Sequence, residues 1–307
     1  MELLRQPIFL ILTCASAAFI VFLAVSPYFG LGDDVKLVKS SVMATLLLCG
    51  VLTAVLLATT SLTAELKGGT ALAVLSKPVD RSLFILGKLL GVCATIAIMV
   101  YINLLAILLA SRMGYDAYGG TDPVGTTIFY TSIAISFAIG GFINYFLEKN
   151  FVSNTVFVTA IMTTAAFVLI NFLDHEWNWQ EFAVGVDWQM VPATVCLLFM
   201  LWTIASLAIL CATRLETMAT LTVCVLVVMV GLVSDYFFGT MTENGSWIGK
   251  FLYAAIPNWQ NFWLTDAIEA EKGIPWSYVA NLFAYMLCFV AMFTAGAFTL
   301  FHNRELN

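Results

Sequence analysis

Eight apolar runs, each near the ~20 residues a helix needs to cross a bilayer, set what this chain can become. They cover roughly residues 8–27, 42–63, 84–111, 125–147, 151–173, 190–211, 217–238 and 277–301. Backbone amides in hydrocarbon must be bonded within their own segment, which leaves helices as the spanning structure for runs of this length. Only 10% of the 307 residues are charged, against about 25% in a soluble protein. The expected fold class is therefore all-α: a polytopic transmembrane helical bundle of about eight spans, with residues 1–307 forming one membrane domain. The fourth and fifth runs are separated only by Glu148, Lys149 and Asn150, which predicts a tight helical hairpin. The first run is longer than the apolar core of a signal peptide and only Arg5 precedes it, so it reads as a retained span.

Charge orients the chain. With the N-terminus placed in the cytoplasm, the inner segments carry eight basic and six acidic residues, and the outer segments five and thirteen. That bias satisfies the positive-inside rule, and an even span number puts both termini in the cytoplasm. The net charge of −6 then reflects an acidic outer face, and nothing points to nucleic-acid binding. Seven of the eight tryptophans lie in or beside the outer stretches 174–189 and 239–276, which suits segments lying at headgroup level. Within the second stretch, Pro257 and Asn258 divide two short apolar patterns, 247–256 and 259–268, read as interfacial or re-entrant helices or as an aromatic-rich loop.

Several chemistries are excluded or unsupported. No Gly-x-x-x-x-Gly-Lys-[Ser/Thr] sequence occurs, so the chain has no P-loop of its own. Ionisable residues deep in the runs are nearly absent, with Asp235 at the end of the seventh, which argues against a proton- or ion-coupled path. Amides at Asn103, Asn144, Asn154 and Asn171 can bond between helices, and read as structural glue ahead of substrate contacts. Ser132, Ser136 and Gly140 form a small-residue stripe suited to a close seam, either within the chain or between copies. His175 and His302 lie at opposite faces, and Asp174, His175 and Glu176, which could bind a metal outside, read first as a solvated acidic loop. All seven cysteines fall in apolar runs without metal spacing and behave as small hydrophobes. No cofactor, metal or catalytic residue is expected.

The stretch 65–88 carries the densest punctuation. Gly68 and Gly69 permit a sharp turn, Thr70 can cap a short helix through Ser76, and Pro78 ends it. Asp80 or Ser82 can cap the next helix, and Lys88 can snorkel back to the interface. A short amphipathic helix on a membrane surface is a handle for a soluble partner.

This stretch resembles the loop between the second and third spans of type-2 ABC transporter permeases (the ABC-2 family, including permeases labelled multicopper-enzyme-maturation-like). The family pattern runs Glu, three residues, Gly-Thr, leucine-rich residues, Pro, a short gap, Arg, and later Gly-Lys. Glu65, Gly69, Thr70, Leu72, Leu75, Pro78, Arg81, Gly87 and Lys88 match it. Pro257-Asn258 ahead of an aromatic run is similar to the family's outer segment. The resemblance implies a cytoplasmic coupling helix within 64–83 that docks on a separate ABC ATP-binding subunit. Glu65 would anchor the loop, Gly69 and Thr70 set and cap the helix, and residues 71–76, Leu72 and Leu75 among them, contact the ATPase. Pro78 and Arg81 would fix the exit, with Lys88 closing the pattern. It further implies an exporter subunit with no enzymatic activity, paired as a homodimer or with a second permease, among lipids of the plasma (inner) membrane. Eight apparent spans depart from the family's six. Two other classes compete: a membrane scaffold that recruits a partner through the same loop, and a self-powered carrier or scramblase.

Overall fold

The computed structural model describes residues 2–26, 34–67, 81–113, 122–174, 176–243, 246–270 and 272–302. It bears out the all-α expectation. Among the described residues there is no strand, only an isolated bridge between Leu173 and Trp179. The long helices are α1 (Pro7–Val25), α2 (Asp34–Lys67), α3 (Arg81–Met113), α4 (Pro123–Leu147), α5 (Phe151–Asn171), α6 (Met190–Ala212) and α7 (Thr217–Leu232). Four short pieces follow: a π-helical turn Asp235–Gly239, α8 (Thr240–Glu243), α9 (Trp247–Ala255) and a 3-10 turn Trp259–Asn261. The chain ends with α10 (Thr265–Glu269) and α11 (Trp276–His302). Seven described helices are long and apolar enough to cross a membrane, and α7 with the segment after it makes an eighth if that bent pair is one span. The protein is a multi-pass membrane protein.

The ends of these helices follow from local chemistry. Pro7 and Pro123 occupy the first helical positions of α1 and α4, where their missing N–H costs nothing. Asp122 and Asn150 cap α4 and α5 by accepting from the N–H groups of Gly125 and Ser153. The predicted hairpin at 148–150 is present, with α4 stopping at Leu147 and α5 starting at Phe151. Glu148 turns the chain with a left-handed φ of 53°, and Asn144 Nδ2 closes the turn on the Lys149 carbonyl at 2.7 Å.

Two helices are longer than the sequence suggested. α2 begins at Asp34, eight residues before the apolar run, and takes in Lys36 and Lys39. Its 34 residues and the 33 of α3 each extend about 50 Å at 1.5 Å per residue, well beyond the ~30 Å hydrocarbon core.

By packing, the chain divides into two units. The first holds Met1–Gly50, Ala97–Thr194 and Thr265–Ile274, and the second holds Val51–Ile96, Val195–Leu264 and Pro275–Asn307. α2 and α3 therefore each contribute residues to both.

In the first unit, the small-residue stripe of α4 proves to be an internal seam with α5. Ser132 and Ser136 are buried and bond back to carbonyls of their own helix. A Cβ built on Gly140 would lie 2.0 Å from Thr155 Oγ1 and 3.0 Å from its Cβ. Alanine at 140 is therefore expected to force the hairpin apart and destabilise it by about 1–3 kcal/mol. Thr155→Ala in the same chain should recover part of that loss, and a double-mutant cycle on thermal unfolding in detergent checks it. Simple additivity of the two changes would show that the seam is not where the cost arises.

The amides behave differently from expectation. Asn103, Asn154 and Asn171 donate to the carbonyls of Met99, Asn150 and Phe167, four residues back in the chain. They do not bridge helices through these donors, because the i−4 carbonyl is the nearest acceptor to a short amide side chain.

Candidate functional site

Of the residues expected to engage a partner, Gly69, Thr70, Leu72, Leu75 and Pro78 lie outside the described residues. Glu65 falls in the last turn of α2, and Arg81 is the first residue of α3. Lys88 sits two turns into α3, with its ammonium 5.8 Å from the centroid of the Phe84 ring. Phe84 in turn stacks on Phe301 of α11 at 5.8 Å. His175 also lies outside the described residues, and no group of metal-ligating side chains occurs among those described.

The described residues hold two built polar sites, one in each unit. In the first unit the hub is Arg112, in the last turn of α3 and only 6% exposed. Its guanidinium donates to the carbonyl of Ile170 and, at 2.5 Å, to that of Leu173. The Ile170 carbonyl is in the last turn of α5, where helical acceptors run out of donors and the helix dipole favours a cation; Leu173 lies two residues past the end of that helix. Nη2 of Arg112 also lies 3.8 Å from Asp122 Oδ2. Asp122 is 1% exposed, and its Oδ1 accepts from Gly125 N at 2.8 Å. One planar fork thus joins the end of α3, the end of α5 and the start of α4, a task that suits arginine's fixed donor geometry.

One residue earlier, Ser111 Oγ accepts from the backbone N–H of Asp187 at 3.1 Å. The Asp187 carboxylate pairs with Lys39 of α2 at 2.6 Å and accepts from Gln189 N at 2.9 Å. Gln189 Oε1 accepts from Ile274 N at 3.0 Å. The described residues 172–174 and 176–189 are therefore tied at Leu173 and at Asp187 and Gln189, a tied cover at this end of the unit. The sequence reading counted Lys39, Arg112, Asp122 and Asp187 only as outer charges and missed their meeting. The one local signal was Asp122-Pro123 ahead of an apolar run, a helix-start pattern.

In the second unit the site is a broken helix. α7 stops at Leu232, and the segment Asp235–Thr242 continues at 55° to it. The returning chain bonds to α7 both at the break, where Leu232 ends the helix, and one turn before it. Gln260 Nε2 donates to Leu232 O at 2.9 Å, and Trp259 Nε1 donates to Val227 O at 3.0 Å. Trp259 is fully buried. It can reach the helix because residue 231 is glycine: a Cβ there would lie 2.3 Å from the indole and 2.5 Å from Pro257 O. Asn258 anchors the return, donating its N–H to the Tyr285 hydroxyl at 3.0 Å while its Oδ1 accepts from Gln260 N at 3.0 Å. Tyr278 donates to Asn261 O at 2.7 Å. Asp235 at the far side accepts from Tyr253 at 3.1 Å.

Of the two short patterns divided by Pro257 and Asn258, the first forms α9. The second splits into the 3-10 turn Trp259–Asn261 and α10. Asn258 caps the 3-10 turn through Gln260 N, and the Trp259 indole donates to Val227 O of α7. A cavity of about 350 Å³ beside the return is lined by Tyr253, Asn258, Asn261, Tyr285, Cys288 and Phe289, among others.

Neither arrangement offers a nucleophile with a base, a metal set or a phosphate cradle among the described residues. Both are suited to fixing helix ends against each other. Comparison with protein-family models, with curated proteins and with solved structures gives no match to this chain.

Proposed function

We propose that this chain is the membrane subunit of an ATP-driven exporter of the ABC-2 type, moved by a separate ATP-binding subunit. The observation that carries the reading is the punctuated pattern from Glu65 to Lys88, which runs from the last turn of α2 into α3, the two longest described helices. α2 ends at Lys67 and α3 opens at Arg81, so residues 68–80 join two helices of about 50 Å each. A helix is stiff along its axis because each turn is bonded to the next, so a push on this junction is carried down both helices. The far end of α3 is held by Arg112 and that of α2 by Lys39, which gives the levers a fixed point to work against.

In this reading the chain hydrolyses nothing. Two permease subunits and two ATPases form the working unit in the plasma (inner) membrane, with both termini and residues 64–83 in the cytoplasm. Gly69 and Thr70 set the coupling helix, Leu72 and Leu75 meet the ATPase, and Glu65, Pro78, Arg81 and Lys88 fix its ends. ATP-driven closure of the partner tilts α2 and α3 and opens a path for substrate.

Mild-detergent extraction from native membranes is expected to bring down an ATP-binding subunit in equal number. Arg81→Ala and Gly69→Leu should lower its recovery or abolish substrate-stimulated ATP hydrolysis while leaving the permease in the membrane. A chain that reproducibly purifies without an ATPase, or full coupling in both variants, would overturn the proposal.

A further inference from the structure

The geometry of the first unit points to a seat for one acyl chain of a zwitterionic phospholipid on the face formed by α3 and α5. It goes beyond the transport reading and does not depend on it. An open groove of about 870 Å³ follows α5 from Phe157 to Phe172, with Tyr101 of α3 on its other side and Trp179 at one end. Small side chains, Ala160 and Ala165, lie among large ones such as Ile161 and Leu169, which leaves a channel where an even surface would otherwise be. The two hydroxyls in the lining, Tyr101 and Thr164, bond to each other at 2.8 Å. An occupant therefore needs no polar group along its length. From Phe157 to the end of α5 at Asn171 the helix rises about 21 Å, more than the ~15 Å depth of a single leaflet's hydrocarbon. The groove is long enough for a whole acyl chain.

One end is marked as headgroup level. Phe172 packs with Trp179 at 6.4 Å and with Phe182 at 5.1 Å, and Trp179 is 78% exposed. Exposed aromatic collars of this kind sit at the membrane–water interface. The charge at this collar selects the headgroup. The sequence holds no lysine or arginine between Lys149 and Arg214, while Glu176 and Glu181 are both exposed beside the collar. The cations of the neighbouring cover, Arg112 and Lys39, are held by Asp122 and Asp187. An acidic rim repels a phosphatidylglycerol headgroup and attracts the ammonium of phosphatidylethanolamine. The same rim disfavours a second copy in the groove. Copies inserted the same way and related by a two-fold axis would set identical acidic collars against each other at one level.

The full-length protein is placed in vesicles of equal phosphatidylethanolamine and phosphatidylglycerol with matched acyl chains. It is then extracted in mild detergent, and the lipid retained is counted by native mass spectrometry. One lipid per chain should outlast the rest, with phosphatidylethanolamine favoured about fivefold, the ratio one favourable charge contact gives. Ala165→Trp fills the groove from an exposed position and should remove that lipid. Ile161→Trp, at a second exposed position, repeats the test should the first variant fail to fold. Glu176→Gln with Glu181→Gln should keep a bound lipid but equalise the two headgroups. Retention unchanged in both tryptophan variants, no headgroup preference in the unaltered protein, or a retained second copy of the chain that Ala165→Trp displaces would each overturn the inference.

Discussion

Arg112→Ala is expected to cost the protein about 3–5 kcal/mol of stability, the penalty for stripping one partner from a buried charged pair. The substitution removes three contacts at once. The carbonyls of Ile170 and Leu173 lose their cation, and the Asp122 carboxylate, 1% exposed, loses its counter-charge 3.8 Å away. Leu173 O retains Gln180 Nε2 at 2.9 Å, so the α5 end is partly protected. Asp122 keeps its cap on Gly125, so α4 should still start at Pro123. The loss therefore falls on the joint between helices more than on any one helix. Arg112→Lys should restore little, because an ammonium on a shorter reach cannot present the planar fork to two carbonyls and a carboxylate together. Asp122→Asn should cost less than Arg112→Ala, since asparagine still caps a helix. Thermal unfolding in detergent orders the three variants. If Arg112→Lys matches the unaltered protein, the fork geometry is not what holds the joint.

The parts of this fold that were legible from sequence are those decided by composition. Apolar runs in a chain this poor in charge have one stable outcome in lipid, and the run boundaries predicted α4 through α6 closely. The hairpin was legible because three polar residues between two spans leave no other path. The start of α2 was not, since Lys36 and Lys39 look like loop residues when only hydropathy is read. In the fold Lys39 has a specific partner, Asp187, far along the chain, and pairing makes a charge at a helix end tolerable. Arg112 was missed for a related reason. Its main partners are backbone carbonyls about 60 residues away, and a carbonyl leaves no mark on a sequence. The amides were misread because pattern identifies a polar residue in a span but not which acceptor lies nearest. The stretch 65–88 carries its pattern in residue type and spacing, and its middle, residues 68–80, lies outside the described residues.

Trp259→Ala is expected to cost about 3–5 kcal/mol, the range for deleting a fully buried large aromatic, and to unseat the whole return segment of the second unit. The indole fills space against Gly231 and donates to Val227 O. It also leads an aromatic series, with Phe262 at 5.9 Å, then Tyr285 at 5.9 Å and Phe289 at 4.9 Å. Removing it leaves a cavity and takes one donor from the last stretch of α7, at Val227 O. Gly231→Ala attacks the same contact from the other side. The added Cβ meets ring atoms at 2.3 Å and a backbone oxygen at 2.5 Å, neither of which can yield as the tip of a flexible side chain would. Overpacking of this kind costs about 1–3 kcal/mol. The two variants should be far from additive, because once the indole is gone the new methyl has room and Gly231→Ala adds little. Protease cleavage within 246–263 in intact proteoliposomes reads the outcome directly. Both single variants should be cut faster than the unaltered protein, and the double variant no faster than Trp259→Ala alone. Equal protection in all four proteins would mean that the bend of α7 is held by something other than the Trp259–Gly231 contact.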